Sequence, residues 1–369
     1  MKRLIERLGQ TNFRQIGKSL LRSCMAILLA YGISFLLILV VSDEPANAIH
    51  WFIVGPFTNI TEFSVIFKNA MPLIFAGIAS ALIIRCGQFN MFTEGAFYMG
   101  GLVAAVVAIY SGMNGFLSIA AALIAAGIAS GIVGYLPAKL KAKYEVNEFV
   151  SSIMLNYIVL WVGVWLISNV IIDVTSGDNA TSLIPDSSRL LVLFASSDLT
   201  IGLPLAFLFV LLVHFFMYRT KWGFELRIVG DNRKFARTSG INDRKSIVLS
   251  QVLGVIIAGI GGGVEILSNY RRFRWKTLPG YGFDGFMVSI MARNKPLLVP
   301  FAAIFIGYLR AGADLMAFNT DVTSEMVQVI QGLIIIFVAA EAFFSQNPLK
   351  NILMKFKERR TAKEVMQHE

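Results

Sequence analysis

Four stretches set polar or ionisable side chains inside otherwise apolar sequence, and these residues have chemistry to offer. CGQFNMFTEG carries Phe89, Asn90, Thr93 and Glu94, with glycines that permit close backbone approach. VNEFVSSIMLNYI opens with Asn147 and Glu148 and continues through Ser151, Ser152, Asn156 and Tyr157. Ser152 and Asn156 are four apart and share one helix face. GYGFDGF puts Asp284 where a broken helix would begin, and Arg310 and Asp314, again four apart, make a natural ion pair. Polar groups at membrane depth are costly and mark pathways, but each also has a plainer use. Asn90 and Glu94 suit capping and packing as well as a ligand, and Ser152 can return its hydroxyl to its own backbone. Asp284 suits a cap at a half-helix start, a device found beside transported substrates. Asn156 has no easy local partner, which favours a pathway or interhelical role.

These side chains bind; they do not react. His50, His214 and His368 are far apart and form no metal spacing, and no Walker-type GxxxxGK[ST] occurs. Cys24 and Cys86 make neither a disulfide framework nor a metal pattern. Any ATP hydrolysis therefore belongs to another chain.

A fifth stretch is of a different kind. Arg219 to Ser246 is the one long hydrophilic interruption, with eight basic and three acidic residues between strongly apolar runs. Asp231 and Asn232 are good N-caps, RKFARTS predicts about two helical turns, and Gly240 stops them. A mere connector needs about two residues to reverse the chain. A short, capped, basic helix points instead to something outside the membrane that grips it.

The elements that must position these residues are membrane spans. Of 369 residues, 56% are hydrophobic and 15% charged, with mean hydropathy +0.67; soluble domains carry about 25% charged residues. The net charge of +10 is no sign of nucleic acid, because 26 of the 33 Lys and Arg fall on alternate connections. They lie in the first 22 residues, at Arg85, at Lys139 to Lys143, in the long loop, at Arg293 and Lys295, and from Lys350 onward. That is the positive-inside pattern, and it puts both termini in the cytoplasm. The basic start followed by an apolar run reads as an uncleaved first span.

Spans are predicted at about 20–41, 66–86, 95–110, 116–137, 148–172, 201–218, 247–267, 300–312 and 326–344. A stretch near 281–292 is only half long enough to cross. The expectation is an all-α polytopic membrane protein with about ten transmembrane helices, one of them short or broken. It forms a single domain over 1–369, with a cytoplasmic loop at 219–246 and a basic cytoplasmic tail at 345–369. IHWFIVGPF reads as an interfacial helix, and the AGI runs at Ala76, Ala126 and Ala258 read as close helix contacts. One feature disagrees: Arg271, Arg272, Arg274 and Lys276 would lie outside.

The motifs resemble those of permease subunits of ABC importers for nucleosides and related sugars, in the wider group with ribose and branched-chain amino acid permeases. CGQFNMFTEGAFYMGG is similar to the family's Gly-x-Phe-Asn-Ile-Gly-x-Glu-Gly-Gln at Gly87, Phe89, Asn90, Glu94 and Gly95, with Phe92 and Ala96 departing from it. VNEFVSSIMLNYI is close throughout. GFELRIVGDNRKFARTSGI resembles the coupling-helix segment, with Arg233 where a proline is common, and GYGFDGFMVSIMARNKP matches with Ala292 for a glycine. The resemblance covers about Asn69 to Phe344.

It implies a plasma-membrane permease with four kinds of partner: a cytoplasmic ABC ATPase, a second permease subunit, an extracytoplasmic substrate-binding protein and the lipid bilayer. This chain would hold no cofactor, ATP and magnesium lying on the ATPase. Implied substrate-path residues are Phe89, Asn90, Glu94, Asn147, Glu148, Ser152, Asn156 and Asp284. Implied coupling residues are Gly223, Arg227, Gly230, Asp231, Asn232, Arg233, Ala236 and Gly240. A neutral nucleoside suits the amides and hydroxyls, including Tyr157, with Phe89 and Phe92 to stack on a base. The alternative is an ion-gradient-driven secondary transporter, with Glu94 or Asp284 as the titrating carboxyl.

Overall fold

A computed structural model describes residues 42–173, 177, 179–193, 197, 199–323 and 325–333, together with 32, 35, 36, 38, 39 and 336. Most of the expected first span, the second half of the expected last one, the basic tail, Cys24, His368 and the placement of both termini lie outside these residues. Contacts divide the chain into two compact units, Phe52–Leu315 and Met1–Trp51 with Met316–Glu369. In the latter, Asp321 accepts from the Ser42 hydroxyl and the Asp43 amide, both at 2.6 Å, and residues 325–333 are helical.

Among the described residues the regular structure is helical, with two isolated bridges. The helices are α1 Pro45–Ile53, α2 Ile60–Arg85, α3 Thr93–Tyr110, α4 Phe116–Tyr144, α5 Glu148–Asn169 and α6 Gly202–Arg219. They continue with α7 Lys221–Asp231, α8 Arg233–Thr238, α9 Asp243–Asn269, α10 Tyr281–Met291 and α11 Val299–Asn319. Seven candidate spans are long and apolar enough to cross a bilayer: α2 to α6, α9, and α11 with the preceding turn from Pro296. Ten crossings would need α10 and the expected first and last spans as well. The expected interfacial stretch is α1 followed by a 3-10 turn at Gly55–Phe57. α4 runs seven residues past the expected end, straight through Pro137, and carries Lys139, Lys141 and Lys143.

Burial ranks the helices. In α2 the most apolar 18-residue window is 83% buried, and in α3 and α9 67%; in α4, α5 and α6 it is 33% or less. The outer three still present large apolar side chains, such as Ile132, Trp161, Trp165, Leu211 and Phe215, to their surroundings. Water would penalise such a surface, whereas lipid matches it.

Lipid provides no hydrophobic drive between helices, so contact depends on close packing. A Cβ on Gly100 of α3 would stand 2.0 Å from the Gly259 carbonyl of α9, so the two backbones touch. Gly259 belongs to one AGI run. The other two take side chains instead of backbone, Gly77 against Val299 of α11 and Val288 of α10, and Gly127 against Ile260 and Ile256 of α9.

The helices have two distinct ends. The C-termini of α2, α4 and α6 gather with α7, α8 and the start of α9. At the other end, Leu190 donates to the Leu267 carbonyl, Thr181 to the Phe273 carbonyl, and Arg272 pairs with Asp173. The arginines at 271, 272 and 274, which ran against the charge pattern, therefore lie at the end opposite the long basic loop. After them the chain turns back, and α10 is eleven residues, about 16 Å long. That is half an apolar bilayer core.

Candidate functional site

The N-cap of α10 is Gly280, which has a φ of +84° and no side chain to cap with. Three amides at its start therefore need outside acceptors. Glu94, in the first turn of α3 and fully buried, supplies them. Its Oε1 accepts from the Gly280 amide at 2.6 Å, and its Oε2 from the Gly282 amide at 2.6 Å and the Phe283 amide at 3.3 Å. Contact is tight enough that a Cβ on Gly282 would fall 2.4 Å from the Glu94 nitrogen.

Asp284 is thus no cap, contrary to the sequence expectation. It lies one turn inside α10, where it pairs with Arg310 of α11. Arg310 bridges Asp284 and not the expected partner Asp314, which is the more exposed of the two carboxyls; the less hydrated carboxylate costs more when left unpaired. Its guanidinium also stands 5.6 Å from the Tyr281 ring.

The extended stretch before α3 is held by side chains from two other helices. Asn156 Oδ1 accepts from the Gly95 amide at 2.9 Å, and its Nδ2 donates to the Met91 carbonyl at 3.0 Å. The Ser152 hydroxyl accepts from the Met91 amide and donates to the Phe149 carbonyl, both at 2.9 Å. The plain expectation for Ser152, a bond to its own helix, is half of what it does. Asn90 folds back on the Phe92 amide and donates to Gln251 of α9 at 2.6 Å. Asn147 caps α5 through the Phe149 amide, and Glu148 bridges Lys141 at 2.7 Å.

Stretches 89–95, 147–156 and 280–284 therefore meet; Glu94, Ser152 and Asn156 bind backbone there, Asn90 also reaches the Gln251 side chain, and the buried Thr93 hydroxyl has no partner among the described residues. Phe89 differs. It is 40% exposed, with Phe286 of α10 at 4.6 Å and Phe149 of α5 at 5.3 Å between ring centroids. Phe92 is buried and Tyr157 lies on the exposed face of α5.

Two buried polar side chains that touch these stretches went unread in the sequence. Gln251 partners Asn90, and Glu265 accepts from Asn269 at 2.9 Å and from the Tyr281 hydroxyl at 3.3 Å. The signal was available, since GGGVEIL puts a carboxyl inside an apolar run.

The hydrophilic stretch forms two helices. Thr220 caps α7 by accepting from Gly223 at 3.1 Å, and Gly223 lets α7 fold back onto α6, where a Cβ would meet the Phe216 carbonyl at 2.1 Å. Arg227 lies 4.9 Å from the Tyr218 ring. Gly230 touches backbone with the end of α2, its Cβ position 2.1 Å from the Arg85 carbonyl. Asp231 is the last residue of α7, so the cap of α8 is Asn232 alone, accepting from Phe235 at 3.0 Å. Gly240, at φ +79°, ends it as expected.

α8 is clamped by charge. Arg233 grips Glu145 with two bonds, at 2.6 and 2.9 Å, and Asp243 with a third at 2.6 Å; Arg237 adds a bond to Asp243 at 2.8 Å. The Arg233 guanidinium holds the Glu145 carboxyl below the usual carboxylate range, and Arg233 is raised in return, chiefly by Glu145. Ala236, expected to face a partner, is 0% exposed and packs on its own chain, whereas Phe235 is 57% exposed. The preceding residue, Phe235, thus takes the outward position.

Residues 63–339 match the family described as branched-chain amino acid transport system / permease component. The chain is 32% identical over 327 residues to the guanosine ABC transporter permease protein of Bacillus subtilis, covering 87% of this chain and 93% of that one. It is 27% identical over 334 residues to the glucose ABC transporter permease protein of Haloferax volcanii, covering 87% of each. A nucleoside ABC transporter permease protein of Lactococcus lactis is 26% identical over 282 residues, covering 73% of this chain and 77% of that one. With a family match over most of its length, this multi-pass membrane protein belongs to the permease-component family of branched-chain amino acid transport systems, alongside nucleoside and sugar ABC permease subunits.

Proposed function

We propose that the chain is a membrane-spanning subunit of an ATP-driven importer that carries a nucleoside, or a related sugar, into the cytoplasm. ATP and magnesium would lie on a cytoplasmic ABC ATPase, the partner that α7 and α8 await. A second permease subunit would complete the path, an extracytoplasmic binding protein would deliver the substrate, and both termini would face the cytoplasm. The substrate class follows the relatives, which are named for guanosine, nucleosides and glucose.

The observation that carries the coupling part is the backbone contact of Gly230 with Arg85. Four residues beyond Arg85 begins the stretch that Asn156, Ser152 and Gln251 hold, and that stretch leads to Glu94 and the start of α10. A pull on α7 and α8 by a closing ATPase would thus reach a half-helix within one chain segment. Alternating access needs such a rigid linkage.

In this reading Phe89, with Phe149 and Phe286, offers ring faces to a base. Asn90, Glu94, Asn147, Glu148, Ser152, Asn156 and Asp284 hold the wall that positions them. Purification in mild detergent from cells that express the neighbouring subunits tests the assembly. A stoichiometric ATPase that stays with the wild type supports it. Transport by this chain alone, in vesicles free of any ATPase, would refute it.

A further inference from the structure

Beside the clamp lies a groove of about 580 Å³ between the last turns of α4 and the first turns of α9. Tyr135, Lys139 and Lys143 form one stripe on α4, four residues apart each time. Lys245, Val248 and Val252 form the facing stripe on α9, with Arg244 at the rim.

Among the described residues no carboxylate pairs with these cations. Nearby carboxylates are taken: Glu145 and Asp243 by Arg233 and Arg237, Glu148 by Lys141. Lys139 and Lys143 rest their ammonium groups over tyrosine rings, at 5.4 Å from Tyr135 and 5.0 Å from Tyr144. Arg244 and Lys245 occupy the first turn of α9, where the positive end of the helix adds to their charge instead of offsetting it. Four cations and a helix N-terminus thus surround one cavity whose deeper wall is apolar.

We propose that this groove binds an anionic phospholipid, its phosphate among Lys139, Lys143, Arg244 and Lys245 and its upper acyl chain along Val248 and Val252. The geometry favours lipid over a protein. The cleft opens on the flank between two candidate spans, and its charged mouth passes into apolar side chains within one helical turn. Basic pockets between transmembrane helices at an anionic membrane face are matched to such head groups. The inference needs only that the chain spans a membrane, and stands apart from the substrate and ATPase readings.

The test is native mass spectrometry of the purified protein titrated with phosphatidylglycerol or with phosphatidylcholine of the same acyl chains. Wild type should retain phosphatidylglycerol at least about tenfold better. Lys139→Gln/Arg244→Gln should erase about tenfold or more of that preference. Arg271→Gln/Arg274→Gln, at the opposite end, should leave it unchanged, and unfolding midpoints check that each variant is folded. Val252→Trp fills the apolar wall, so it should weaken phosphatidylglycerol retention without changing any effect of inorganic phosphate.

Undiminished preference in the Lys139/Arg244 variant overturns the proposal. So does displacement of the lipid by inorganic phosphate at equal concentration, which would mark a free-anion site. Loss of a co-purifying ATPase with lipid preference intact also overturns it, because the cations would then serve a protein.

Discussion

The Glu94 carboxyl is the single acceptor for three amides at the start of α10, so Glu94→Gln is the sharpest perturbation. Glutamine keeps the length and one accepting oxygen but turns an NH2 toward amides that are themselves donors. If the amide oxygen takes the Oε2 position, the Gly280 amide loses its acceptor; if it takes the Oε1 position, Gly282 and Phe283 lose theirs. A buried donor left without a partner costs about 1–3 kcal/mol, and the favourable charge at a helix N-terminus goes as well. The sum is about 2–4 kcal/mol, or ~30- to ~1000-fold in the opening equilibrium of that turn. Amide hydrogen exchange in detergent, read at Gly280, Gly282 and Phe283, should accelerate by that factor at whichever amides lose their acceptor, while amides in the middle of α2 hold theirs. Uptake should fall with it. Exchange within threefold of wild type at all three amides would refute the reasoning.

Other outcomes follow from the same contacts. Asn156→Leu strands the Gly95 amide and the Met91 carbonyl, so its unfolding midpoint should drop by an amount matching about 2–4 kcal/mol. Lost uptake at full stability would mean instead that Asn156 touches substrate. Phe235→Ala should lower substrate-stimulated ATPase activity with the melting point unchanged, whereas Ala236→Trp should lower the melting point, since Ala236 has no free space around it. The reverse pattern would put the partner face on the wrong side of α8. Because Arg233 lowers Glu145 in the folded chain, the clamp is fully formed above the ordinary carboxylate range. It weakens as pH falls through the lowered Glu145 value, while Asp243 keeps its bonds to Arg233 and Arg237, so a spin label at Lys234→Cys should gain part of its mobility when the pH is stepped from 7 to below that value. Equal mobility at both would show that the clamp does not hold α8.

Much of this was legible in the sequence because lipid imposes length and hydropathy on every crossing segment. The half-length of α10, the close packing of the AGI runs and a short capped helix ending at Gly240 all follow from local rules. What stayed hidden depends on where helices meet. Asp284 reads as a cap until Glu94, from another helix, is seen to occupy the capping position. Arg310 and Asp314 satisfy the spacing rule, yet packing against α10 offers Arg310 a carboxylate in greater need. Asp231 is as good a cap as Asn232 by composition, and only the end of α7 decides between them. Ala236 is small because it packs inward, a fact no spacing rule reports.

The central claim is that ATP on a partner drives uptake through this chain. The direct measurement is uptake of radiolabelled guanosine by cells that express the chain with its neighbouring subunits, under two separate treatments. The account predicts that uptake continues when a protonophore collapses the ion gradient and stops when cellular ATP is depleted with the gradient maintained. Uptake that fails with the protonophore and persists without ATP would contradict it, and would identify a secondary transporter.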